Sequence, residues 1–265
     1  MKPPVFDPNW SEELKALYRH DVQEIWDDSL NRHIWNQYHN QLRVYLGLAG
    51  LPELTGEKKI LDVGCAQGTL ALLLAERGHD VTALDLRPSF LDYAQKRYTH
   101  GRIRFIAGNA LDCDPDDHFD IIFANQIIEH LVYPERLIRR LKALLKPGGK
   151  VVVTTPNWHY LRNNLPSFKD IGDPTQFEHR QFTADADGHF FAFKADELQN
   201  IFAIAGLRNI KCVFFESPFI SGHLKLRYLH RIVPLSLLRS LDEGVLASPL
   251  RRYLAHQLMI VAEYP

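Results

Sequence analysis

The chain opens on two helical patterns. Ser11-Glu12-Glu13 is a cap signal for the first, and the second runs from about Ile34 to Leu46 with Trp35, Tyr38, Leu42 and Tyr45 on one stripe. From Lys58 the period changes. Short apolar runs at 59–63, 80–84, 103–107, 119–124 and 149–154 read as strands, and helical periods at about 69–77, 88–98 and 134–145 lie between them. Runs such as Phe119-Asp120-Ile121-Ile122-Phe123-Ala124 are nearly continuous in apolar residues, as a strand covered on both faces must be. Alternation of such strands with helices predicts a doubly wound α/β core with a parallel sheet. A helix at about 195–205, a strand at about 208–215 and a closing strand at 257–262 bring the sheet to seven strands. Lys146-Pro147-Gly148-Gly149 reads as a helix stop followed by a tight turn and a chain reversal.

Two stretches break the alternation. Residues 155–193 carry Pro156, Pro166, Pro174, Gly172 and Gly188 among aromatics and histidines, and read as a long functional loop. Residues 217–254 read as a Leu-rich, Pro-punctuated helical insertion ahead of the last strand. The expected organisation is one domain over 1–265: a helical lid at 1–50, a core at 55–215, the insertion, and a final strand at 255–263.

Composition narrows the class. With 46% apolar and 24% charged residues among 265, the chain suits a folded, water-exposed protein with a full core. A formal charge of -1 gives no global field for nucleic acid, so a nucleic-acid partner is not expected. Cys65, Cys113 and Cys212 are odd in number and far apart, which argues against a disulfide framework or a structural zinc site and for a reducing, cytoplasmic setting. Neither a signal-peptide core nor a membrane span is expected. The insertion carries Lys225, Arg227, Arg231, Arg239, Arg251 and Arg252 against Asp242 and Glu243. Such a segment suits a substrate cover packed on the sheet, a dimer contact, or peripheral contact with an anionic membrane.

The strongest chemical signal is Ile60-Leu61-Asp62-Val63-Gly64-Cys65-Ala66-Gln67-Gly68-Thr69, a strand that breaks into small residues and then starts a helix. Small residues let backbone amides approach a ligand at a helix N-terminus. Asp85 ends the next strand at a spacing suited to a carboxylate that grips the two hydroxyls of a ribose. The dinucleotide pattern G-x-G-x-x-G is absent, because Ala66 and Thr69 occupy the second and third glycine positions.

At these residues the chain resembles class I S-adenosylmethionine-dependent methyltransferases, whose first motif is an acidic residue followed by G-x-G-x-G. Here the motif is Asp62, Gly64, Ala66 and Gly68, with alanine for the middle glycine. The likeness continues at Asp85-Leu86, at Gly108-Asn109-Ala110, from Phe119 to Gln126, and at Leu145-Lys146-Pro147-Gly148-Gly149. It implies S-adenosylmethionine as cofactor, S-adenosylhomocysteine as product, and a Rossmann-like methyltransferase sheet. It assigns Asp62, Gly64, Cys65, Ala66, Gln67 and Gly68 to the methionine end and Asp85 to the ribose. Leu86 and Ala110 would flank the adenine, Asn109 would bond its amino edge, and Asn125 with Gln126 would lie near the sulfonium.

Methylation of a hydroxyl needs a base beyond the strand tips, for which His189 and His130 are the candidates, with ordinary pKa values near 6.5. The segments around Glu129-His130 and His189-Phe190-Phe191 resemble ubiquinone-biosynthesis O-methyltransferases and, more distantly, bacterial small-RNA 2'-O-methyltransferases. In the RNA group two glutamates and two histidines hold a metal. The first glutamate falls at Gln126, which removes a charge from a hard-cation site, so no metal is expected. The leading expectation is O-methylation of a small molecule. Its alternatives are an RNA 2'-O-methyltransferase, a nicotinamide-dependent oxidoreductase disfavoured by the glycine spacing, and a non-catalytic cofactor-binding protein.

Overall fold

The computed structural model describes residues 1–26, 28–49, 56–181 and 188–265, with the side chains of residues 28–31, 48 and 49 outside that description. The expected lid-to-core boundary at 50–55 and Asp187 in the long loop lie outside the described residues.

The sheet has seven strands in the order β3-β2-β1-β4-β5-β7-β6. They are β1 (Lys59–Val63), β2 (Asp80–Asp85), β3 (Arg102–Ala107), β4 (Phe119–Asn125), β5 (Leu145–Pro156), β6 (Arg208–Phe215) and β7 (Gln257–Glu263). The first five run parallel, and β7 runs antiparallel between β5 and β6. The expected parallel core is therefore closed by one reversed strand, a choice that an apolar run does not encode. The order reverses between β1 and β4, which opens the crevice at their carboxyl ends where α/β sheets bind ligands.

Helices α3 (Thr69–Glu76), α4 (Pro88–Arg97), α5 (Pro134–Leu144) and α6 (Ala195–Ile204) cover the sheet. The periodicity of α5 shows why it forms. Leu137, Ile138, Leu141 and Leu144 are fully or nearly fully buried on one stripe, while Arg136 and Arg139 are exposed. Two apolar clusters, one on each face, enclose the sheet. At the KPGG segment Leu145 pairs with Phe119 and Lys150 with Ile121, so the four residues Lys146–Gly149 bulge out opposite the single residue Asp120. The expected turn is thus taken inside β5 instead of before it. A Cβ at Gly149 would stand 2.8 Å from the Lys146 carbonyl oxygen and 2.9 Å from that of Phe119, which explains the glycine.

At the N-terminus α1 (Glu12–Asp21) begins at Ser11, whose hydroxyl accepts from the Leu14 amide at 3.2 Å. A short π-helical turn, Val22–Trp26, leads toward α2 (Asp28–Ala49). Leu42 and Tyr45 of the expected stripe are buried, and so are Asn36 and Asn40, which the apolar pattern did not mark. The insertion forms α7 (Pro218–Ser221), a 3-10 turn over Leu226–Arg231, α8 (Leu235–Ala247) and α9 (Arg251–Leu254). It packs on α2 through Asn36 with His230 at 3.1 Å and Arg43 with Glu243 at 3.3 Å. No helix among the described residues is long and apolar enough to cross a membrane.

The 155–193 stretch is less open than its prolines and glycines suggest. Phe190, Phe191 and Phe193 are buried, and Phe168 packs edge-on against Phe191. Short bridges join Asn157 to Phe193 and Ser167 to Ala192.

Candidate active site

The turn after β1 is built from backbone. The Gly64 and Cys65 amides both donate to the Leu84 carbonyl, at 2.8 and 3.1 Å. Gly64 has φ +67°, and a Cβ there would lie 2.4 Å from Ile127 Cγ2, so the position demands glycine for packing as well as for φ. Ala66 takes φ +47°, a left-handed conformation that explains why the resembled motif has glycine there. Gly68 starts α3 with φ +75°, and its Cβ would meet that of Ala94 at 2.8 Å.

Asp85 is engaged rather than bare. Its Oδ2 accepts from the Ala66 amide at 2.8 Å and its Oδ1 from the Arg87 amide at 2.9 Å, so one carboxylate ties the glycine turn to the β2 tip. Asn109 Oδ1 accepts from the Leu111 amide at 3.0 Å, which makes it a turn former with its NH2 group still to spend.

Two cavities meet at Gly64, Ala66, Asn125 and Gln126. The larger, about 810 Å³, is also lined by Asp85, Leu86, Asn109, Ala110 and His130. The smaller, about 340 Å³, adds Asp62, Cys65 and Gln67 from the β1 turn, and Gln37, Gln41 and Gln257 from α2 and β7. Both volumes are in the range of small-molecule sites. Eleven of the twelve residues expected around the cofactor thus line a cavity; Gly68 lines neither. The amides from α2 and β7 were missed, because nothing in the sequence ties residues that distant to the glycine turn.

The lining of the smaller cavity is acidic. Among the described residues no Lys or Arg lines it, whereas Glu24 and Asp62 do. Burial first, then the Asp85 charge, pushes the Asp62 carboxyl up to about 7, and burial raises that of Glu24. A bound ammonium or sulfonium would compensate such groups. The methionine end expected here carries both cations.

Beyond β4 the chain turns through Gln126, at φ +53°, into the short turn Ile128–His130. His130 lines the larger cavity, and its ring meets that of His189 edge-on at 4.7 Å. His189 is 36% exposed and lines neither cavity, so of the two expected bases it is the one set back. Its Nε2 lies 3.8 Å from Glu129 Oε1. Burial, then the neighbouring His130, lowers the His189 imidazole to about 4 instead of the ordinary 6.5.

Glu129 went unselected at the sequence level, although the Glu-His pair was visible. It is fully buried, accepts from Thr155 Oγ1 at 3.1 Å, and is pushed up to about 8 by burial. With its amide turned nitrogen-first, Gln126 also donates to Glu129 Oε1 at 3.2 Å. Donor atoms of Glu129, His130 and His189 all lie within 4.8 Å of one another, close enough to share one ion. Two imidazoles and a carboxylate form a donor set that could hold a transition-metal ion.

With this geometry in view, the family is decided by residues 12–211, which match the methyltransferase domain family. The chain belongs to that family. It is 32% identical over 152 residues to a ubiquinone biosynthesis O-methyltransferase of Stutzerimonas stutzeri, covering 56% of this chain and 57% of that protein. It is also 35% identical over 111 residues to an uncharacterized methyltransferase of Mycobacterium tuberculosis, covering 42% and 56%. The chain therefore spans little more than half the length of the curated relatives it matches. Among solved structures, a SAM-dependent methyltransferase from Archaeoglobus fulgidus superposes with a TM-score of 0.54 at 20% identity, covering 84% of this chain and 93% of that one. A Haemonchus contortus phosphoethanolamine N-methyltransferase 2 in complex with S-adenosyl-L-methionine gives 0.58 at 19% identity, covering 98% and 61%. These likenesses establish a methyltransferase fold.

Proposed function

We propose that this methyltransferase-domain protein transfers a methyl group from S-adenosylmethionine to a hydroxyl oxygen of a small molecule. The observation that carries the reading is the convergence of β1, β2, β3 and β4 tips on two cavities that meet at the glycine turn, with an imidazole on the wall of the larger. The adenosine half suits the larger cavity, where Asp85 faces the ribose and Leu86 and Ala110 flank the base. The methionine half suits the smaller, where Asp62 and the Gly64–Gln67 backbone meet its amino-acid end. Bound cofactor supplies an electrophilic methyl on a positively charged sulfur. The protein's own work is to hold the acceptor in line with that methyl and to take its proton.

We assign the proton to His130. Its ring reaches the cavity, with the His189 ring edge-on behind it and Glu129 beyond. A small hydroxylated acceptor accords with the ubiquinone O-methyltransferase relatives. In a metal-assisted variant of the reaction Glu129, His130 and His189 would hold a divalent ion, which would supply Lewis-acid polarisation of the acceptor hydroxyl.

The test is transfer of radiolabelled methyl to fractionated extracts from a strain lacking the protein. His130→Ala should lower turnover by about 100-fold with cofactor affinity unchanged, and His189→Ala should lower it less. Full turnover by both variants would remove both histidines from the mechanism. Loss of activity on chelation, restored by one added divalent ion, would select the metal-assisted variant.

A further inference from the structure

Among the described residues, seven of the twelve exposed large apolar side chains fall between positions 224 and 253, inside the insertion. The centre of this patch is α8. Its inward stripe is Leu238 and Asp242, both buried, and its outward face carries Leu237 and Leu241, one turn apart and 51% and 40% exposed. The remaining outward positions of α8 are Ser236, Ser240, Gly244, Ala247 and Glu243, whose carboxylate is paired with Arg43. An outward helix face whose exposed positions hold one charge, already paired, with half-buried Arg239 beside it, is poorly matched to water. Ile232, just ahead of α8, is 79% exposed.

Cations flank this apolar centre along the chain. Lys225, Arg227 and Arg231 precede it and Arg251 and Arg252 follow it, all five exposed. Both carboxylates of the insertion are engaged elsewhere, Glu243 with Arg43 and Asp242 with the Ser217 amide at 2.7 Å. Exposed leucine and isoleucine flanked in the chain by exposed lysine and arginine is the chemistry of a segment that sinks side chains into acyl chains while meeting phosphates.

We propose that the insertion docks the protein on an anionic lipid bilayer, with Ile232, Leu237 and Leu241 entering the acyl boundary and the five flanking cations facing headgroup phosphates. The charge pattern selects this occupant. A second copy on the same face would bring like charges together in a two-fold contact. Nucleic acid would meet the cations but leave the leucines of α8 without an apolar partner. The surface is independent of the methyl-transfer reading, because none of these residues lines either cavity.

The test is co-sedimentation of the full chain with phosphatidylcholine vesicles, with and without phosphatidylglycerol. Phosphatidylglycerol should raise the bound fraction by about tenfold or more, since each cation near an anionic surface contributes about fivefold. High salt should reverse most of the gain. Leu237→Glu with Leu241→Glu, and separately Arg251→Glu with Arg252→Glu, should release the protein while circular dichroism and S-adenosylhomocysteine binding stay unchanged. If the leucine variant fails to fold, Ile232→Ser and the emission of Leu237→Trp, expected to shift blue only with anionic vesicles, carry the same test. Equal association with both vesicle types, or with neither, would overturn the proposal. So would a dimer in light scattering that the leucine variant dissolves, or RNA binding, without vesicle binding.

Discussion

A glycine can serve a ligand or serve its neighbours, and Gly64 shows how the two are separated. Its φ of +67° and the 2.4 Å approach to Ile127 Cγ2 mean that any side chain is strained and clashing before a cofactor arrives. Gly64→Ala should therefore destabilise the protein by about 2–6 kcal/mol, the sum expected of left-handed strain and overpacking. Ile127→Ala in the same chain should return part of that loss. Urea unfolding of the two single variants and the double variant measures the coupling, and strict additivity would show that Ile127 is not the obstacle. Asp85 has a comparable double duty, because its carboxylate already holds the Ala66 and Arg87 amides. Its position at a strand end was legible in the sequence; its two backbone partners were not, since they come from the folded turn. Glu129 escaped for a related reason. A glutamate in a sequence reads as a charge, and only burial turns it into a neutral group with a pKa near 8.

Among elements, strands and helices of the core were legible because nearly continuous apolar runs and amphipathic periods each have one structural solution. The reversed direction of β7 was not, since parallel and antiparallel central strands bury the same side chains. Which histidine faces the cavity was also hidden, because His130 follows a strand end whereas His189 comes after a long loop, and only the packing of 188–193 sets His189 behind His130. The attachment of the N-terminal helices is equally non-local. Asp21, at the end of α1, is buried and accepts from Trp26 Nε1 and from Tyr93 OH, each at 2.8 Å, and lies 3.4 Å from the Arg97 guanidinium. Arg97, fully buried, donates in turn to the Gln67 carbonyl at 2.8 Å and to Thr69 Oγ1 at 3.0 Å. One ion pair thus joins the N-terminal helices to the glycine turn. Asp21→Ala leaves a buried cation without its partner and should cost about 3–5 kcal/mol in denaturant unfolding, with weaker cofactor binding through the loosened turn. A loss below about 1 kcal/mol with cofactor affinity unchanged would show that the pair is incidental.

For the whole molecule, buried titratable groups set the pH dependence of stability. Burial pushes Glu129 and Glu216 up to about 8 and, with Asp85 adding to it, Asp62 to about 7. Their contribution is complete below the ordinary carboxyl range and is lost as pH rises toward 7 to 8. Burial, then a neighbouring histidine, lowers His189 and His230 to about 4 and His256 to about 3. Their contribution is complete above the ordinary 6.5 and is lost as pH falls toward 4 and 3. Burial lowers His33, His39, His79, His159 and His223 as well, so the histidines and the acids oppose each other in mildly acid solution, whereas above about pH 6.5 the histidines no longer titrate and the acids dominate. The melting temperature should therefore fall between about pH 6.5 and 8, as scanning fluorimetry can follow; a rise across that interval would contradict the burial of these acids.

The central claim is that the paired cavities at the glycine turn form an S-adenosylmethionine site. Calorimetric titration of the full chain with S-adenosylhomocysteine, beside an identical titration with NAD, tests it most directly. One saturable site for S-adenosylhomocysteine is expected, with no heat from NAD. Asp85→Ala should lower that affinity by about ten- to a hundredfold, the loss of charge-assisted bonds to a ribose. Absence of S-adenosylhomocysteine binding, or affinity that Asp85→Ala leaves unchanged in a folded protein, would contradict the claim.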